Sequence, residues 1–288
     1  MHSDHREFIN RRAFLGLSSA GLFALTSRQL ALRGAGADRL DKIGLQLYTV
    51  RDAMEREVEA TLARVAAIGY REVEFAGYFG RTPAQVRALL TRNGLTAPSA
   101  HVEYGTIIKG QWDQVLDEAL AVGHQYVVVA WIDEDQRSTL DAWKRVAERL
   151  NTAAEAAKRR GLLMAYHNHS YEFDRLDGQT PYDLLLATTD PKLVLLEMDL
   201  YWVTKGGRDP LDYFVRWPGR IRLVHIKDSK GPPDHVMTEV GAGVIPWASI
   251  LGRHRQAGIE HYFVEHDDPK DSLASAEASY RYLRALKF

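Results

Sequence analysis

From residue 43 to its end, the chain alternates two kinds of pattern. Short runs dense in Val, Ile, Leu, Phe and Tyr suit buried strands, and longer stretches with an apolar residue every three or four positions suit amphipathic helices. Residues 43–50 (IGLQLYTV) predict a strand and 52–69 a helix, with Met54, Val58, Leu62, Val65 and Ala66 on one face and Gly69 as its stop. Residues 70–78 predict a second strand. The helix after it, 82–94, has Thr82 as cap, Pro83 in its first turn and Gly94 at its end. Further strands are expected at 95–102, 124–132, 162–173, 193–202, 221–228 and 261–267, and further helices at 112–123, 139–161, 181–189, 210–219, 246–258 and 272–288. Eight strands alternating with eight helices over about 245 residues is the content of an α/β protein of the (β/α)8 TIM-barrel type. A doubly wound open sheet would carry a glycine-rich dinucleotide loop after its first strand, and none is present. A single barrel domain over residues 42–288 is expected.

In such barrels the reactive groups stand at the C-terminal ends of the strands. Here the third strand ends in His101, the fifth in His167 and His169, the sixth in Asp199, the seventh in His225 with Lys227, and the eighth in Glu265. A histidine beside an apolar run is more often a packed core residue than a ligand. His167 and His169 alternate in LLMAYHNHSYEF, however, and so share one face of their strand. Strand ends of a barrel converge on one axis, which would bring all of these side chains into a common cavity. The chain has no cysteine, so a metal would have to be held by imidazole and carboxylate. That donor set suits Mn, Zn, Fe or Co better than calcium. Asp199 and Glu265 buried together would repel, and a divalent ion would remove that cost.

Composition narrows the partners. The formal net charge is −1 and no basic block occurs, which disfavours nucleic acid. The first forty residues differ from the rest: Arg11 and Arg12 precede a moderately apolar stretch, 14–25, and small residues AGA follow at 35–37. Charge, a short apolar region and an A-x-A site form the layout of a secretory signal, too short to span a bilayer comfortably. The arginine pair resembles the twin-arginine type, so residues 1–37 are expected to be a signal peptide for the twin-arginine export machinery, delivering a periplasmic protein with no stable membrane anchor. Homo-oligomerisation is left open.

The segments YHNHSYEF, MDLYW, VHIKDSK, EVGAGVIPW and FVEHD together closely resemble the sugar phosphate isomerase/epimerase family of xylose isomerase-like barrels, over about residues 42–288. The resemblance implies one divalent ion held by a carboxylate from strand five, an aspartate from strand six, a histidine from strand seven and a glutamate from strand eight. Asp199, His225 and Glu265 match the last three. The strand-five position falls on Ala165, so His167, on the same face, is expected to take over as the fourth ligand, with His169 and Glu172 as alternatives. A relative that cleaves abasic DNA has a further histidine where Trp202 stands, which disfavours nuclease chemistry. The family's shared chemistry implies proton removal next to a carbonyl or hydroxyl. His169, Glu172 and Glu265 are the expected catalytic groups. His101, Trp202 and Lys227 are expected to contact substrate, Tyr201 and Trp202 being suited to stacking on a sugar face, and Glu197 is expected to be structural. The glycines of EVGAGVIPW are expected to let backbone approach the site. An exported protein would meet free or glycosidic sugars. The expected activity is a carbohydrate isomerase or epimerase. A lyase or hydratase acting on a 3-keto-glycoside is the alternative, and a non-catalytic sugar-binding protein the alternative of another class.

Overall fold

The computed structural model describes residues 38–288, so the signal-peptide reading of residues 1–37 lies outside the described residues. Ten strands occur among them. β1 (Gly44–Gln46), β2 (Glu72–Ala76), β3 (Thr96–Val102), β4 (Tyr126–Val129), β5 (Leu163–His167), β6 (Val194–Asp199), β7 (Ile221–Ile226) and β10 (His261–Val264) are parallel neighbours in a closed barrel. The two-residue strands β8 (Asp228–Ser229) and β9 (Met237–Thr238) pair antiparallel in the connection after β7. The barrel expected from the sequence is therefore the one observed.

Local chemistry explains where the elements begin and end. The helix Pro83–Asn93 opens with a capping box between Thr82 and Gln85 and closes on Gly94 in the left-handed region. The expected helix 52–69 is instead two, Arg51–Arg56 and Val58–Ile68, broken where Glu57 leaves helical geometry. The expected strand 43–50 ends after Gln46, because the Gln46 side chain accepts the Tyr48 N–H at 3.1 Å and starts a 3₁₀ turn over Leu47–Val50. At Gly44 a methyl group would lie 2.4 Å from the Phe263 ring, so glycine there lets Phe263 fill the barrel.

Side chains alternate along each strand, so the interior is built in tiers. Tyr126, Val128, Ala165, Leu195, Leu223 and Phe263 form an apolar tier across the barrel. Two residues further along the same strands come His167, Glu197, His225 and Glu265, and Glu74 and His101 join them from β2 and β3. The polar tier therefore lies directly above an apolar floor that keeps water out from below.

The loop after β7 is organised by one buried carboxylate. Asp228 accepts from the N–H groups of Ser229 (2.8 Å), Gly241 (2.8 Å) and Ile245 (3.2 Å) and from the Trp247 indole N–H (2.9 Å). A methyl group at Gly243 would lie 2.1 Å from Asp228 Oδ1, so that glycine is required for the wrap. The glycines of this loop thus serve closure around Asp228; the sequence-based expectation that they bring backbone to the site is corrected. Asp228→Ala would leave four donors, three of them buried, without an acceptor and is expected to destabilise the fold by about 3 kcal/mol. In thermal unfolding that corresponds to a Tm lower by roughly 6–12 °C, with Asp228→Asn losing less; an unchanged Tm would show that these contacts contribute little.

Candidate active site

The C-terminal ends of the strands surround a cavity of about 760 Å³. Its polar wall includes His101, His167, His169, Lys227 and Glu265, and Tyr48, Trp131 and Trp202 supply aromatic surface. At the floor His225 lies between two carboxylates: Nδ1 meets Glu265 Oε2 at 2.7 Å, and Nε2 meets Glu74 Oε2 at 2.7 Å. His101 Nε2 lies 2.6 Å from Glu197 Oε2 and 3.2 Å from Glu74 Oε2. His167 Nδ1 lies 3.1 Å from Glu197 Oε2. Lys227 Nζ donates to Asp267 at 2.7 Å, and stands 2.7 Å from Glu265 Oε2 and 3.1 Å from Asp199 Oδ2.

Burial sets the charge states. It disfavours charge on His225, but Glu197 and Glu265 outweigh it and hold this imidazole protonated well above the usual histidine range. Burial also opposes charge on His101, and Glu74 and Glu197 overcome it, lifting its pKa to about 10. Glu265, although buried, is held well below the usual carboxylate range by Lys227 and His225. Burial raises Asp199 to about 6 against the pull of Lys227. His167 is driven the other way, by burial and then by the charge on His225, and is neutral. Because its Nδ1 faces a carboxylate, the proton sits on Nδ1 and the free lone pair on Nε2, 3.9 Å from Asp199 Oδ2. Burial and Lys227 take His169 down to about 3. Its Nδ1 is buried without a hydrogen-bond partner among the described residues.

Two overlapping sets of potential ligand atoms share His225: Asp199, His225 and Glu265 form one, and His101, His167, Glu197 and His225 the other. Two buried carboxylate oxygens, Glu74 Oε1 and Glu197 Oε1, have no hydrogen-bond partner among the described residues, and Asp199 Oδ2 faces only the Lys227 charge at 3.1 Å. Unpaired buried acceptors are costly and are what a cation satisfies. Glu74, Glu197, Asp199, Glu265 and Asp267 also outnumber the cationic His101, His225 and Lys227. The donor set therefore fits a divalent ion.

Of the residues singled out from sequence, His101, His167, His169, Trp202, Lys227 and Glu265 line the cavity, and Asp199 and His225 lie beneath it. Glu172 does not face the cavity. It is fully buried, accepts the Tyr166 hydroxyl at 2.8 Å and the His169 N–H at 2.9 Å, and burial lifts its pKa to about 7. Its expected catalytic or ligand role is corrected to fixing the backbone that carries His169. Tyr201 is also turned away, its hydroxyl donating to the His235 carbonyl, so it offers no face to a sugar. Trp202 does line the cavity, 5.7 Å from the His169 ring between centroids. Glu197, expected to be structural, sits among three histidines. Its parity with Asp199 in LLEMD was the available signal. Glu74 was missed; its only signal was the spacing in EVEF, two residues after Glu72.

Residues 62–286 match the family described as xylose isomerase-like TIM barrel, and the chain belongs to that family. Among solved structures, a protein from Parabacteroides distasonis described as a sugar phosphate isomerase/epimerase aligns with a TM-score of 0.77 at 27% identity, covering 85% of this chain and 98% of that one. Inosose dehydratase of Lacticaseibacillus casei is 32% identical over 172 residues, covering 54% of this chain and 56% of that protein. The enzyme of the same name from Geobacillus kaustophilus is 25% identical over 196 residues, covering 59% and 61%. The chain thus matches somewhat more than half the length of these curated relatives.

A metal can bind His225 only after the imidazole gives up a proton. Since His225 holds that proton well above the usual histidine range in the metal-free chain, loading at neutral pH is expected to release it. Affinity for Mn²⁺ should rise about tenfold per pH unit between about pH 6 and 8, with proton release visible calorimetrically as a dependence on buffer ionisation enthalpy. His167, already neutral, should contribute little to that slope. An affinity flat across the window would remove His225 from the ligand set.

Proposed function

We propose that the protein is a divalent-metal-dependent carbohydrate lyase that removes the proton beside the carbonyl of a cyclic keto-sugar and expels a β-substituent. Asp199, His225 and Glu265 would hold the ion, with His167 Nε2 turned to the same side. A divalent ion there would polarise the carbonyl and stabilise negative charge on its oxygen. The chain supplies the rest. His169 is the base: it is neutral, its ring lines the cavity, and no residue described here hydrogen-bonds to that ring. Its low basicity comes partly from the Lys227 charge, which an oxyanion beside Lys227 would offset. Lys227, held cationic by three carboxylates, would steady that oxygen or protonate the leaving group. Glu172 fixes the His169 backbone, and Trp202 bounds the sugar ring.

The observation that carries this reading is the imbalance between bases. An epimerase that works by proton transfer on two faces of one carbon needs two competent bases. Among the described residues His169 is an imidazole with no hydrogen bond to its ring, His167 turns its free Nε2 towards Asp199, Glu265 and Asp267 are both tied to Lys227, and Glu103 at the rim is the other unpaired base. Elimination needs one base and one acid. The similarity to inosose dehydratases supports the same choice. Isomerisation or epimerisation remains the second reading, favoured by the similarity to the Parabacteroides protein over nearly its whole length. Export to the periplasm is part of the proposal, resting on Arg11, Arg12 and the small residues at 35–37.

Purified protein loaded separately with Mn²⁺, Co²⁺ or Zn²⁺ would be incubated in deuterated water with inosose, 3-ketoglucose and methyl 3-ketoglucoside and followed by NMR. The expected result is loss of the carbon-bound α-proton together with release of water or the β-substituent. His169→Ala is expected to lower turnover about 10²- to 10⁴-fold and to retain metal, and Asp199→Ala and Glu265→Ala to lose the metal. Deuterium incorporation with sugar recovered intact would establish the second reading. Absence of both exchange and elimination on every substrate would reject the catalytic assignment.

A further inference from the structure

The chemistry proposed above occupies the floor of the cavity and leaves its mouth unexplained. At about 30 Å³ per water-sized volume, 760 Å³ holds the equivalent of roughly twenty-five waters. A single keto-hexose, with about twelve non-hydrogen atoms, fills well under half of it, which leaves room above the floor for a larger ligand. The mouth carries two large aromatic rings. Trp131, in the loop after β4, is 50% exposed, and Tyr48, in the turn after β1, is 41% exposed; both line this cavity. These strands stand three apart around the barrel, so the rings rise from separate parts of the rim. One half-exposed tryptophan on a loop is ordinary. Two aromatics on separate loops above one reactive floor are not accounted for by the fold, since neither belongs to the core.

Both rings are braced from the side. Trp131 meets the edges of His169 and Tyr171 at 5.2 and 5.3 Å between centroids, with interplanar angles of 84° and 83°. Arg137 lies 3.8 Å over Tyr171 and donates to the Ile132 carbonyl at 2.9 Å, tying down the loop that holds Trp131. Arg51 covers one face of Tyr48 at 4.0 Å. Rings fixed before a ligand arrives lose little entropy on binding. A flat ring of this kind matches the apolar C–H face of a pyranose, and the carboxylate of Glu103, which also lines the cavity, can accept from its hydroxyls. We propose that Trp131 and Tyr48 form an outer subsite for a second sugar ring, so that the substrate is a keto-glycoside with two rings, the reacting one below. The inference rests on the carbohydrate reading above and assigns the leaving group: the outer sugar departs as its alcohol when the glycosidic C–O bond breaks, the electron pair staying on that oxygen, which takes up a proton. The base has removed one proton from the inner ring, so the products are a free sugar and an unsaturated keto-sugar, and no oxidant is needed.

The test is calorimetric titration of Mn²⁺-loaded protein with two probes, 3-ketoglucose and the same ring glycosidically linked to an unmodified glucose. Wild type should bind the two-ring probe at least about tenfold more tightly. Trp131→Ala and Tyr48→Ala should each shrink that ratio, and Trp131→Phe should retain most of it. The wild-type ratio stands without any variant, so a poorly folded Trp131→Ala leaves the test intact. Equal affinity for the two probes, or variants that weaken both alike, would overturn the outer subsite. If wild type still acts on a monocyclic keto-sugar in that case, the parent reading survives. If wild type neither binds nor turns over any of these compounds, both fail.

Discussion

The catalytic end of this barrel depends on the imidazole of His225, which joins two carboxylates from opposite sides of its ring. Glu265 at Nδ1 and Glu74 at Nε2 are both 2.7 Å away, and all three groups are buried. Neither carboxylate could remain ionised there without a cation, and His225 could not remain protonated without them. The rest of the polar tier is ordered by the same need. Glu197 draws His101 and His167 towards it, and Lys227 spans Asp199, Glu265 and Asp267. A hydrophobic replacement of similar volume would cost the fold less. That such groups are packed together over an apolar tier points to chemistry rather than stability as the reason for them.

Structural and reactive carboxylates can be separated by how completely they are satisfied. Asp228 has four donors on its two oxygens and faces no cavity. Glu172 likewise spends its oxygens on Tyr166 and the His169 N–H. Glu74 and Glu197 each keep an oxygen with no hydrogen-bond partner among the described residues. Buried groups that build the fold have their hydrogen bonding complete, while those left with a free lone pair are the ones a ligand can complete.

The barrel was legible because period-two and period-3.6 patterns alternate cleanly, and because caps such as Thr82 with Gln85 and stops such as Gly94 lie at the boundaries. Strand ends were less legible: LQLYTV continues the apolar pattern of a strand, and only the Gln46 side chain, turning back on Tyr48, ends it. In the site, residues following an apolar run at the correct parity were visible, which is how His101, His167, Asp199, His225 and Glu265 stood out. Glu197 and Glu74 were hidden because each lies inside a strand, where parity alone cannot separate a deep structural carboxylate from a ligand. Glu172 misled for the opposite reason. Past the strand end the period-two rule lapses, and the 3₁₀ turn Tyr171–Phe173 swings its carboxylate behind His169.

This division also bears on why isomerases, epimerases and dehydratases resemble one another in this fold. Under the proposed reaction the floor of this barrel would stabilise charge beside a carbonyl while a proton leaves carbon. The fate of the substrate after the first proton transfer depends on which groups hang over the floor from the loops. A second free base would return the proton to the other face; an acid above the β-carbon would release a leaving group instead. Here Lys227 is paired with both Glu265 and Asp267, so under the proposed reaction the cation that would steady the oxygen would also hold these two carboxylates back as bases. In the proposed reaction one residue would thereby bias the outcome towards elimination without altering the floor.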